Sequence, residues 1–282
     1  MFRRRILLFL LIASAMNAGA VTYRALIFGL GQYQDEMWGT IHGDNDLYYV
    51  RQMLTEAGFT DIVQVKNEQA TKQGMVQAFM NLEKRCKSGD VVYIHYSGHG
   101  QLMTDLDGDE ALRTTARHGQ WDEAWVPYDA YMNYGEKDRG EKHFCDDEVE
   151  FYLSSLRRAI GKKGKMTVVI DACHSGDATR SCNDEGEEFV RGTDVKFNIP
   201  RENNEGTPVA RQEQWLTISA CQPYQLCMEL KNLNIGKLTF ALYTLGKDVF
   251  TMSKEELQEK LDSYMELNKG RLPQNPLVSG KR

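Results

Sequence analysis

Strand-like apolar runs alternate with helical stretches along most of the chain, and this alternation narrows the fold more than any other feature. Residues 23–30 (YRALIFGL), 61–66, 91–96 (VVYIHY), 166–170 (MTVVI) and 215–220 read as strands. Residues 44–57, 71–86, 147–160, 238–245 and 254–267 read as helices, with Thr71 as an N-cap and Met75, Phe79 and Leu82 on one face. Interleaving of this kind predicts an α/β fold built on a mainly parallel, helix-covered sheet. Residues 100–119 and 176–211 are polar or poor in apolar residues and are expected to be long loops. No internal repeat is present, and one domain is expected from about residue 21 to the end.

The first twenty residues stand apart from this pattern. Arg3, Arg4 and Arg5 precede an apolar run from Ile6 to Met16, and Ala18-Gly19-Ala20 follows as a small-x-small sequence. The pattern predicts a secretory signal peptide, residues 1–20, cleaved after Ala20. The run is shorter than the ~20 residues of a membrane span, so no insertion is expected after its removal. The mature chain is then exported to a periplasm or the extracellular space, where disulfides are permitted. Its six cysteines are too few for a disulfide scaffold. The net charge of −6 falls to −9 when the three arginines leave. With no basic face, nucleic acid is not expected as a partner.

Two of the strands end in reactive side chains flanked by small residues. One runs into Tyr96-Ser97-Gly98-His99-Gly100, the other into Asp171-Ala172-Cys173-His174-Ser175-Gly176. Function in such sheets sits at the carboxyl ends of the strands. Alone, a cysteine after a strand is ordinarily a small buried hydrophobe, and a lone histidine a satisfied polar residue. If the two strands are adjacent, His99 and Cys173 meet. A thiolate nucleophile with an imidazole to support it and to protonate a leaving amine is then in place. The backbone N–H groups of Gly100 and Cys173 would form an oxyanion hole. His174 is expected to point away from its neighbour and to take a packing or hydrogen-bonding role.

In combination, VVYIHYSGHG (91–100) and VVIDACHSG (168–176) resemble the two catalytic blocks of the metacaspases, within the caspase-like cysteine peptidases. Weaker similarities extend to residues 25–31, Asp44-Asn45-Asp46-Leu47, 122–129, Asp146-Asp147-Glu148, 219–222 and 236–245. The Gln-Ala-Cys-x-Gly signature is absent, and His99 and Cys173 are 74 positions apart, not the roughly 50 of caspases. The likeness is therefore to metacaspases and their bacterial relatives, with a signal peptide added. It implies a caspase-like sandwich with a central sheet of about six strands and helices on both faces. A large-subunit-like part would cover about 21–176, a loop 177–211, and a small-subunit-like part 212–282.

The resemblance implies a cysteine endopeptidase that hydrolyses polypeptides after Arg or Lys through a thioester, with His99 as general acid/base. Asp46, Ser97 and Asp171 match the family's acidic first subsite, where charge-assisted bonds would hold a guanidinium. Read without it, Asp46 is a helix N-terminal acid and Asp171 a turn residue. No organic cofactor is implied. Calcium as an activator is open: Asp122, Asp146 and Asp147 match three of the family's four aspartates, but the fourth position holds Arg180, a cation where a carboxylate is needed. A second acidic run, 105–110, begins like a calcium loop but lacks the later glutamate, and reads as a solvated loop. Arg180, Arg191, Lys196, Arg201 and Arg211 lie in the 176–211 stretch, so self-processing in loop 177–211 is expected, at no particular bond. Two other readings stay open: a catalytically silent caspase-like binding or scaffold protein, and a transpeptidase or ligase using the same dyad.

Overall fold

A computed structural model describes residues 20–108, 121–174, 189–200, 214–223, 225–270 and 272–282. The expected signal peptide, Arg180, Cys182 and most of loop 177–211 lie outside the described residues. Six strands form the central sheet in the order β11-β8-β7-β3-β1-β2. They are β1 (Tyr23–Gly29), β2 (Asp61–Lys66), β3 (Val91–Ser97), β7 (Lys165–Asp171), β8 (Leu216–Ser219) and β11 (Leu277–Gly280). All pair in parallel except β11, which runs antiparallel to β8.

Side chains of β1 alternate between two buried faces, which is why the sequence reads as a continuous apolar run. Ala25 and Ile27 join one core with α1 (Gly43–Glu56), α4 (Lys237–Leu245) and α5 (Lys254–Leu267). Leu26 and Phe28 join the other with α2 (Lys72–Arg85) and α3 (Asp146–Ile160). Thr71 caps α2 as expected, its hydroxyl accepting from the Gly74 N–H at 3.0 Å.

The loops expected at 100–119 and 176–211 hold more order than their polarity suggests. β4 (Gly100–Thr104) pairs antiparallel with β5 (Trp121–Trp125), which pairs with β6 (Phe144–Cys145). The expectation of irregular chain from residue 100 is thus corrected: Leu102 and Met103 are buried and the neighbouring strand supplies the ladder. Part of the second loop, 189–200, is extended and bridged to β4, with Arg191 and Phe197 fully buried. A hairpin of β9 (Glu229–Leu230) and β10 (Ile235–Gly236) precedes α4. These strands are too short to show a period in sequence. Residues 105–108 form a turn in which Asp105 accepts from the N–H groups of Asp107 and Gly108.

Phe79 anchors the α2–α3 side, with ring centroids 5.4 to 6.5 Å from Phe28, Trp125, Phe144 and Tyr152. Phe79→Ala should cost about 3–5 kcal/mol in chemical denaturation, because so enclosed a site has little freedom to collapse. A loss under 1 kcal/mol would contradict this packing.

Candidate active site

Adjacent parallel strands put the two reactive segments side by side. The β3–β7 register pairs Ser97 with Asp171. His99 follows the first and Cys173 the second, each two residues past its partner. Both are buried, His99 at 3% exposure and Cys173 at 1%. The His99 ring is stacked on Trp38 with centroids 5.2 Å apart, and the His99 backbone N–H donates to the Tyr33 hydroxyl at 2.7 Å. Its Nε2 lies 2.7 Å from the Gly39 carbonyl oxygen. A carbonyl only accepts, so Nε2 carries the hydrogen and Nδ1 is left as the basic nitrogen. Nδ1 is buried with no hydrogen-bond partner. Neither Tyr33, Trp38 nor the Gly39 carbonyl was anticipated, and a backbone oxygen leaves no mark in a sequence. His174 Nδ1 is 3.3 Å from Glu123 Oε2.

The three residues of the expected acidic subsite converge beneath this pair, all fully buried. Asp46 reaches in from the first turn of α1, where the helix dipole favours a carboxylate. It accepts from Ser97 Oγ at 2.7 Å and the Gly236 N–H at 3.0 Å, with Thr239 Oγ1 3.1 Å away. Asp171 is the last residue of β7 rather than part of a turn. It accepts from the N–H and hydroxyl of Thr239 at 2.9 and 2.6 Å and from the Cys227 thiol at 3.0 Å.

The pocket is filled by the chain itself. Arg191 is fully buried in it, with NH1 and NH2 donating to the two Asp46 oxygens at 2.6 and 3.1 Å. NH1 is also 3.5 Å from Asp171 Oδ2. A third acid, Glu229 on β9, accepts from Arg191 Nε at 3.0 Å and faces NH2 at 2.9 Å. Burial works against the Arg191 charge, but Asp46, Asp171 and Glu229 outweigh it and hold the group well above its ordinary pKa. Glu229 was missed because it comes from a two-residue strand with no periodicity around it.

Arg191 is anchored by its backbone as well. Its carbonyl oxygen accepts from the Cys173 N–H at 2.9 Å and the Gly100 N–H at 3.3 Å. These are the two donors expected to line an oxyanion hole, and they converge on one carbonyl. On the N-terminal side, the Arg191 N–H donates to the Cys227 carbonyl and the Glu229 N–H to the Phe189 carbonyl, both at 3.0 Å. Residues 189–191 thus lie as an extra antiparallel strand against 227–229, the way an extended peptide docks on a sheet edge. Beyond the carbonyl, Gly192 passes so close that a Cβ there would fall 2.5 Å from Cys173 Sγ. Glycine at 192 is what permits the approach.

The three aspartates considered for calcium lie away from this pocket. Asp122 is on β5, and Asp146 and Asp147 open α3. Among the described residues no group of three or more His, Cys, Asp or Glu side chains is arranged to hold a metal ion. No two described cysteines are joined in a disulfide. Among the described residues no helix is long and apolar enough to cross a membrane.

Fold and strand-end dyad together define a caspase-like α/β architecture. The chain belongs to the caspase-domain family, which it matches over residues 22–279. It is 30% identical to metacaspase-1A of Aspergillus oryzae over 168 residues, 56% of this chain and 35% of that one. It is 27% identical to metacaspase-1 of Pyricularia oryzae over 164 residues, 55% of this chain and 37% of that one. The matches span about a third of the length of these relatives. A crystal structure of a Geobacter sulfurreducens protein is similar with a TM-score of 0.62 and 19% identity, covering 93% of this chain and 94% of that one. Caspase-1 of Spodoptera frugiperda is similar with a TM-score of 0.55 and 11% identity, covering 92% and 86%.

Burial lowers the pKa of His99 to about 4, opposed by the Gly39 bond, and burial likewise lowers that of His95 to about 4. The unfolded chain takes up these protons near pH 6.5 and the folded chain near 4. Stability should therefore fall as pH drops through that window, by on the order of 3 kcal/mol per histidine at pH 4. Asp61 and Asp90, where arginine hydrogen bonds outweigh burial, sit below the ordinary carboxylate value and weaken the fold only at lower pH. Urea midpoints measured from pH 7.5 to 4 check this; a flat profile between 6.5 and 4.5 would refute the buried, neutral histidines.

Proposed function

We propose that the protein is a cysteine endopeptidase that cuts polypeptides after arginine or lysine, and that the Arg191–Gly192 bond is its own processing site. The carrying observation is the seating of Arg191. Its guanidinium is among carboxylates and its carbonyl is on the amides of Gly100 and Cys173, with Gly192 against the sulfur. A cleaved peptide would need the same three placements. Family membership supports the reading but covers only part of the relatives' length.

His99 Nδ1 takes the Cys173 proton, and the thiolate attacks the carbonyl carbon of the basic residue. The two amides hold the oxygen as it gains charge. The C–N bond then breaks, the imidazolium returns its proton to the departing amine, and a thioester to Cys173 remains. Water attacks that thioester, His99 accepts a water proton, and Cys173 leaves with the new carboxyl released. Every step uses side chains and backbone of this chain. While Arg191 is in place the pocket is closed to other substrates, so cleavage after Arg191 is also the step that frees it.

Export through residues 1–20 is part of the same proposal and rests on the sequence pattern. Calcium activation enters as an arm of the test.

Intact mass and N-terminal sequencing of wild-type, Cys173→Ala and Arg191→Gln chains test the reading, each with calcium and with chelator. Wild type should yield a new N-terminus at Gly192, and both variants should remain whole. Gly192→Ala, whose methyl would meet Cys173 Sγ, should slow this cut at least about tenfold. An intact wild type under all conditions, or a Cys173→Ala chain cut at the same bond, would overturn the assignment. A product joined to an added amine would favour acyl transfer over hydrolysis.

A further inference from the structure

Glu229 adds to the pocket something its two aspartates do not. Asp46 grips the far end of the guanidinium through NH1 and NH2, and Asp171 lies near NH1. Glu229 alone meets Nε, at 3.0 Å, on the near side of the group. It is 3% exposed and braced twice by His42 at the start of α1. The His42 N–H donates to Oε1 at 2.7 Å, and His42 Nδ1 lies 2.6 Å from Oε2. The His42 ring is in turn edge-on to Phe189, with centroids 5.0 Å apart. The carboxylate is therefore fixed in place before any side chain enters.

A lysine in the same pocket would set its Cε where arginine has Nε, and its Nζ where arginine has Cζ. A methylene would then face the carboxylate that Nε addresses, and one ammonium would replace the planar fork aimed at Asp46. We propose that Glu229, positioned by His42, makes this pocket selective for arginine over lysine. The inference rests on the reading that the pocket receives the basic side chain of a substrate. With lysine the buried carboxylate keeps its His42 contacts but loses the Nε–H donor it is placed to meet, and a polar group deprived of a donor is a basis for rejecting a near-isostere. The companion His42 is a positioning residue that acts through Glu229.

Two measurements test it. In the first, peptide reporters differing only in Arg or Lys at the cut position are given to wild type and Glu229→Gln. Wild type should favour arginine in kcat/KM by about 100-fold or more. Glu229→Gln should lower the arginine rate at least about tenfold more than the lysine rate, because the charge-assisted bond to Nε is made by arginine alone. A parallel fall for both reporters, or an unchanged ratio, would overturn the proposal and leave Glu229 a structural role. In the second, the uncut Cys173→Ala chain carries Arg191→Lys, Glu229→Gln or both, and unfolding equilibria are compared. Arg191→Lys should be at least about tenfold less damaging once Glu229→Gln is present. Additive effects would overturn the proposal. The cycle needs no turnover, so loss of cleavage of every reporter would count against the peptidase reading while the cycle still decides selectivity.

Discussion

A single buried cation organises the functional end of this molecule. Arg191 has no exposed surface, and neither do Asp46 and Asp171, while Glu229 is nearly as enclosed. Removing such charges from water is costly, and the arrangement holds only because nearly every lone pair and N–H finds a partner. Those partners come from distant parts of the sequence: α1, the ends of β3 and β7, the β9–β10 hairpin and the first turn of α4. The ion cluster thus ties the two halves of the sheet together at the carboxyl ends of its strands. The same contacts bring a carbonyl onto the two amides beside Cys173. Charge pairing in the pocket and alignment of the bond at the sulfur are one geometric event.

The histidine is set by a different kind of constraint. Stacking on Trp38, the Tyr33 hydroxyl at its backbone and the Gly39 carbonyl at Nε2 leave one ring nitrogen to act. Its low proton affinity in the closed site keeps it a base at neutral pH. That affinity is a product of burial, so an opened site would let water back and raise it. In the proposed mechanism, closure by Arg191 and the chemistry of His99 are thereby coupled.

Much of this was legible in the sequence, and the parts that were not share a cause. Five of the six central strands and the five α-helices among the described residues announce themselves because each is long enough to show its period and packs on the core. His99, Cys173, Asp46, Ser97 and Asp171 stand in motifs whose resemblance to metacaspases is specific, and the fold brings the five together. Glu229 was invisible because its strand is two residues long. Arg191 was one of five basic residues in a stretch without pattern; only the path of the chain distinguishes it. β4, β5 and β11 escaped notice because their stability comes from neighbours in space, not from local propensity. Of the aspartates matched to a calcium site, Asp146 and Asp147 open an expected helix, while Asp122 lies on β5.

The most direct test of the account is the labelling of Cys173 by peptidyl electrophiles that differ only in the residue presented to the pocket. With Arg191→Ala protein, an arginine electrophile should modify Cys173 at least about 100-fold faster than an aspartate one, since three fixed carboxylates attract one and repel the other. Peptide mapping should find the label on Cys173 alone. Equal rates, a preference for aspartate, or modification of another cysteine would contradict an acidic pocket built beside the nucleophile.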